Sequence, residues 1–176
     1  MDFSQDHFTL FGLPRCYALD KSELERIYHE VQARVHPDRH AHLGDNERRL
    51  AMQWSTRVNE AYQTLRQPLA RAQYLLHLAG IDLAKERAMP AQFLMQQMEW
   101  REAVAEMSAA GAADELEHLH RRLKREMSEQ YQRLQSLLDA ATDDAAYRSA
   151  ADTVRQLMFQ EKLLADIDDA LVATEA

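Results

Sequence analysis

Apolar residues recur every three or four positions on both sides of one proline, and this pattern restricts the fold to helices meeting at a corner. Leu24, Ile27, Tyr28, Val31 and Val35 share one helical face. Pro37 stops that helix, because its ring fixes its own φ and drives His36 out of the α region. Leu50, Trp54, Val58, Ala61, Tyr62 and Leu65 make a second face, starting near Asp45 and ending before Pro68. Asp20 is placed to cap the first helix, with Glu23 reaching back. Joined by a polar loop containing Gly44, the two helices pack antiparallel. Their expected core is Leu24, Ile27, Tyr28 and Val31 against Trp54, Val58 and Tyr62. His36, Pro37 and Asp38 then form the tip of a helical hairpin.

Three chemistries fit such a tip. A helix stop with a solvated Asp is the plainest. A base, with Asp38 orienting His36, needs a nucleophile and a pocket, and nothing nearby supplies them. A rigid docking corner read by another protein needs neither. The surrounding chain agrees with helices throughout. It has only four Gly and four Pro among 176 residues, with no alternating β-branched run, so the fold class is all-α. A net charge of −8 argues against general nucleic-acid binding. The N-terminal residues lack the pattern of a signal peptide, and no apolar run is long enough to span a membrane. One cysteine, Cys16, excludes an internal disulfide. The expected setting is the cytoplasm.

The first 75 residues, in order and spacing, resemble a J-domain. The resemblance rests on Asp6 to Leu13 (DHFTLFGL), the first amphipathic helix, His36-Pro37-Asp38, Val58 to Leu65 (VNEAYQTL) and Pro68 to Tyr74 (PLARAQY). It implies docking on the ATPase domain of an Hsp70 chaperone and stimulation of ATP hydrolysis, with His36, Pro37 and Asp38 required. J-domains present a basic outer face on the helix before the tripeptide. Here Arg26 and Arg34 are mixed with Glu23, Glu25 and Glu30, so electrostatic steering is weaker than usual. Arg39, Arg48 and Arg49 lie near the tip to compensate. The mixture suits a specialised Hsp70.

Tyr74, Leu75, Leu76 and Leu78 continue a helical pattern to Gly80, a C′ residue. The expected organisation is a J-domain over 1–80, a junction over 81–90 and a second domain over 91–176. The second domain reads as three antiparallel helices, a three-helix bundle. Its first helix ends near Gly111. Its second carries Leu116, Leu119, Leu123, Met127, Tyr131, Leu134 and Leu138 on one stripe. Its third, capped by Thr142-Asp143-Asp144, carries Val154, Leu157, Leu164 and Leu171.

The first bundle helix has more apolar residues than one seam needs. Phe93, Trp100, Val104 and Met107 fall in a narrow sector at 100° per residue. Leu94, Met95 and Met98 fall on roughly the other side with Glu102, and Phe159 on the third helix also leaves its seam. A helix touching two neighbours buries a wide arc, and isolated exposed apolar residues are ordinary. Four together point to a partner surface, and methionine suits an adaptable one. Burying Leu94, Met95 and Met98 contributes on the order of 5 kcal/mol gross, which after association costs suits a reversible micromolar contact.

The segments Phe93 to Glu102 (FLMQQMEWRE) and Ala151 to Phe159 (ADTVRQLMF) resemble the HscB-type J-proteins of iron–sulfur cluster biogenesis. With the J-domain match this covers nearly the whole chain. The resemblance implies that the bundle holds the cluster scaffold protein through Leu94, Met95, Met98, Glu99, Glu102 and Phe159, a set overlapping the one picked out by helical geometry. It implies no enzyme, no bound cofactor, an HscA-like Hsp70 and an IscU-like scaffold as partners, and, without an N-terminal Cys-rich module, the bacterial form. A J-protein of another pathway, with a different client, is the alternative. His36, His40 and His42 are close in sequence, but no Cys joins them and no metal site is expected. The basic run His118 to Arg125 reads as a solvated helix face countered by Glu115, Glu117 and Glu126. Cys16 has no base partner in view, and no Gly-rich loop offers a phosphate site.

Overall fold

A computed structural model of the chain describes residues 3–36, 44–84 and 89–175. The described residues form seven α-helices and no strand: α1 (His7–Phe11), α2 (Lys21–Val35), α3 (Asp45–Arg66), α4 (Pro68–Leu78), α5 (Ala91–Ala109), α6 (Ala113–Asp139) and α7 (Asp144–Glu175). Contacts divide the chain into two units, Met1–Leu75 and Leu76–Ala176, with the division inside α4.

In the first unit, local chemistry sets each helix end. Asp6 caps α1 by accepting from the N–H groups of Phe8 and Thr9 at 2.9 and 3.1 Å. Gly12 closes α1 at φ 65°, a conformation that favours glycine. Asp20 caps α2 as its position predicts, accepting from the N–H groups of Ser22 and Glu23. Gln67, before Pro68, is extended, which separates α3 from α4, and Pro68 opens α4 where its missing N–H costs nothing.

The α2–α3 pair is the expected antiparallel hairpin. Tyr28 donates to Asn59 and Gln32 to Ser55, both at 3.0 Å, and the Tyr28 and Tyr62 rings stack with centroids 4.0 Å apart. Leu24, Val31, Trp54, Val58 and Tyr62 are buried, while Ile27 and Tyr28 are half-buried. Leu50 departs from the sequence reading: it is exposed, and Ala51 is buried in its place. The reason is length. α3 has 22 residues against 15 in α2, so α3 is about 10 Å longer, and in this register Leu50 lies past Val35, where α2 has ended.

The start of α4 locks onto the same unit. The Tyr74 hydroxyl accepts from the His7 N–H at 3.0 Å, and the His7 and Tyr74 rings stack at 4.2 Å. Arg71 is buried. It donates to the Leu65 carbonyl at 2.7 Å and lies over the Tyr17 ring. These contacts explain why the Pro68–Tyr74 segment travels with the hairpin. At its far end, α4 stops at Gly80 (φ 81°), with the Ile81 N–H donating to Leu76.

The second unit is a three-helix bundle. Arg101 pairs with Asp166 and Phe93 meets Phe159, so α5 and α7 run in the same direction. Tyr131 donates to Glu161 and His120 sits 3.0 Å from Asp168, so α6 runs opposite to α7. Gly111, at φ 66°, turns the chain between α5 and α6, and Asp143 caps α7 by accepting from the Ala146 N–H. Leu116, Leu123, Leu134, Val154 and Leu157 are buried on the expected stripes. Lower on α7, the seam differs from the sequence reading. Leu163, Ile167 and Ala170 are buried, while Leu164 and Leu171 are half-buried. α7 packs against both α5 and α6, so its buried arc is wider than one stripe and takes in positions that a single seam excludes.

Candidate docking sites

At the hairpin end, α2 delivers His36 as its C-cap residue. His36 is extended at φ −60° and ψ 129°, as a residue before proline must be, and it is exposed. Pro37, Asp38 and Arg39 lie outside the described residues. Arg26 and Arg34 are both exposed and stand two turns apart on α2. Between them sits Glu30, and the Arg26 guanidinium is clasped to it at 2.6 Å. Part of the positive face is thus neutralised within the helix.

The second site lies along the first half of α5. α5 turns Val104 and Gln97 into the bundle and half-buries Phe93, Trp100 and Met107. The residues left outside include Leu94, 40% exposed, and Met95 and Met98, each 63% exposed. Glu99 and Glu102 are exposed beside them. α7 contributes Phe159, 36% exposed, whose ring meets Phe93 edge-on at 6.0 Å. This edge contact links the α7 aromatic to the α5 turn that carries Leu94. Two turns further along α5, the Arg101–Asp166 pair crosses between the same two helices. The arrangement is an apolar strip with a carboxylate flank and no catalytic group at its centre. It can hold an apolar ridge of another protein by burial.

The chain is similar to known proteins over nearly all its length. A family model described as the HSCB C-terminal oligomerisation domain matches residues 89–168. The co-chaperone protein HscB homolog of Azoarcus sp. (strain BH72) is 56% identical over 177 residues, covering 99% of this chain and 98% of that protein. The chain belongs to the HscB co-chaperone family. Among solved structures, chaperone HscB from Vibrio cholerae matches at a TM-score of 0.82 and 35% identity, covering 94% of this chain and 96% of that one. Human co-chaperone protein HscB also matches at 0.82, with 29% identity, covering 96% of this chain and 83% of that one.

In this HscB-family chain the basic run on α6 behaves as a solvated face. Arg121 pairs with Glu117 at 2.9 Å and Arg122 with Glu126 at 3.0 Å, both one turn apart. Arg122 also covers the Trp100 ring at 5.5 Å, which periodicity did not foretell. The Cys16 thiol lies 3.2 Å from the Ala18 carbonyl. His40 and His42 lie outside the described residues, and no group of three metal-ligating side chains stands together among those described. No helix among the described residues is long and apolar enough to cross a membrane.

Sequence reasoning passed over three features. Gln97 and Gln160 are buried in the bundle, where an apolar pattern leaves blanks. Met158 is exposed next to Phe159. Phe3 stacks on Trp54 at 3.8 Å beside exposed Met52 on α3. The spacing of Gln97 from Phe93 and Trp100 (four and three residues) was the available signal for the first.

Proposed function

We propose that this chain is a co-chaperone of iron–sulfur cluster assembly that stimulates the ATPase of a specialised Hsp70 and delivers the cluster scaffold protein to it. The J-domain occupies 1–80, the junction 81–90 and the scaffold-binding bundle 91–176. His36, Pro37 and Asp38, with Arg26, Arg34 and Arg39, form the Hsp70 contact. Leu94, Met95, Met98, Glu99, Glu102 and Phe159 form the scaffold contact. The observation that carries this reading is the exposure of Leu94, Met95 and Met98 on a helix that already buries a separate seam, with Phe159 beside them. Family membership supports it.

The protein itself makes and breaks no bond. It favours the chaperone conformation in which hydrolysis is fast, by binding that conformation more tightly than the other. Carrying both contacts on one chain turns the second encounter into an intramolecular one, at an effective concentration in the millimolar range for short connections.

The test is single-turnover ATP hydrolysis by an HscA-like Hsp70, first with this protein alone and then with an IscU-like scaffold added. Acceleration by the protein, raised further by the scaffold, is the expected result. Acceleration with no scaffold effect would replace the client. No acceleration by folded protein would remove the Hsp70 assignment.

A further inference from the structure

The apolar strip on α5 and α7 is built largely from thioethers, and this gives the surface a chemistry that an aliphatic strip would lack. Met95 and Met98 are each 63% exposed, and Met158, the residue before Phe159, is 43% exposed. The other surface methionine among the large exposed hydrophobics is Met52, on α3 in the first unit, at 60%. Met127, by contrast, is 6% exposed inside the bundle. Methionine oxidation follows access to the sulfur, so the exposed side chains of Met95, Met98 and Met158 are open to an oxidant while Met127 is shielded. Oxidation turns a flexible apolar side chain into a polar, chiral one, and the cost falls on any contact that must bury it.

We infer that Met95, Met98 and Met158 form a peroxide-sensitive modification site that releases the partner held on the α5–α7 strip. The inference rests on the scaffold-docking reading above and adds its regulation. The oxidant is a peroxide. The thioether sulfur attacks the terminal peroxide oxygen, the S–O bond forms as the O–O bond breaks, and the departing hydroxide takes a proton and leaves as water. The sulfur loses two electrons and the peroxide gains them. Reversal needs a thiol-dependent methionine sulfoxide reductase, which removes the oxygen as water. Leu94 and Phe159 carry no sulfur, so they stay apolar while the thioethers of Met95, Met98 and Met158 change polarity. No side chain of the bundle core has to move for this, so release occurs without unfolding.

The full chain is treated with hydrogen peroxide, freed of oxidant, mapped by peptide mass spectrometry and titrated with cluster-free scaffold protein by calorimetry. Sulfoxide is expected at Met95, Met98, Met158 and Met52, with Met127 spared. Scaffold affinity should fall about tenfold or more, as for a polar group forced into an apolar contact. Methionine sulfoxide reductases should restore it. A Met95→Leu/Met98→Leu/Met158→Leu variant has no thioether at these positions, so its treated and untreated forms should bind within about twofold of each other, whatever affinity it starts from. Unchanged affinity in fully oxidised native protein overturns the inference, as does equal loss in the triple leucine variant. Leu94→Ala/Phe159→Ala, measured without oxidant, separates the two levels. If it leaves scaffold affinity unchanged, the docking reading has failed and takes this inference with it. If it weakens binding while oxidation does not, only the inference has failed.

Discussion

In the α2–α3 hairpin the candidate contact group sits where a helix stops, whereas on α5 it lies along the regular turns of the helix's first half. His36 leaves the helical conformation because a proline follows it, and its exposure comes with the corner. Leu94, Met95 and Met98 keep regular helical geometry and are exposed only because α5 spends its opposite side on the bundle. The first site is therefore specified locally and is chemically narrow. The second is specified by subtraction, as the apolar surface remaining after the seam is satisfied, and it is chemically broad. A corner built by one proline tolerates little change. A strip built by burial degrades in steps.

The sharpest way to break this comparison is His36→Gln. It should abolish ATPase stimulation while leaving scaffold affinity and the thermal transition unchanged. Loss of scaffold binding as well would mean that the two sites are not separable. The reciprocal experiment is Leu94→Ala/Met95→Ala/Phe159→Ala. It should weaken scaffold binding by roughly a hundredfold, about 3 kcal/mol of the gross burial, with basal stimulation retained. Calorimetry giving the native affinity would sink the assignment of that surface.

Core substitutions sharpen the contrast from beneath. Phe8→Ala should cost about 3–5 kcal/mol in the first unit, and Leu163→Ala about 2–5 kcal/mol in the second, since both side chains are fully buried. Trp54 lies in the first unit and Trp100 in the second. Single-tryptophan versions, with the other replaced by Phe, report each melt separately. Equal loss at both probes from either substitution would show that the units do not melt independently.

Acidification should also discriminate between the units. His7 is held below its ordinary value of 6.5, first by burial and then by the positive charge of Arg57, with Asp6 and Glu60 pulling the other way. Its neutral form is the one the fold prefers. The first unit is thus at full stability above pH 6.5 and loses some as the pH falls below it. Asp6 acts lower. Burial alone pushes its carboxyl up, but hydrogen bonds from Thr9 and Arg15 outweigh this and hold it at about 2, below the ordinary 3.8. Its contribution is complete above 3.8 and is lost as the pH falls from there through 2. Melts of the Trp54 reporter at pH 7.5 and 5.5 should differ, and His7→Tyr should shrink the difference. An unchanged difference would remove His7 as its source.

The smallest expected effect concerns steering. Glu30→Gln removes the carboxylate that clasps Arg26. It should lower the concentration needed for half-maximal ATPase stimulation by a few-fold at low salt and by less at physiological salt, because exposed charges are screened over about 8 Å there. No salt dependence in that shift would show that the α2 face does not steer the encounter.

Helix existence, helix ends and the exposure of His36, Leu94, Met95 and Met98 were legible in the sequence, because each follows from short-range chemistry. Asp20 caps its own first turn, Pro37 and Pro68 stop the helix before them, Gly80 and Gly111 take positive φ, and a 3.6-residue period sorts Leu94 from Val104. What the tertiary structure alone decided was how much of each face found a neighbour. Leu50 belongs to the right stripe but lies past the end of its partner helix. Leu163 and Ile167 are buried ahead of Leu164 because α7 packs on two helices at once, and Gln97 is buried because the seam passes over it whatever its polarity. Period is a property of one helix, readable from its own residues. Burial depends on the length, number and register of its neighbours, and these are settled only when the helices meet.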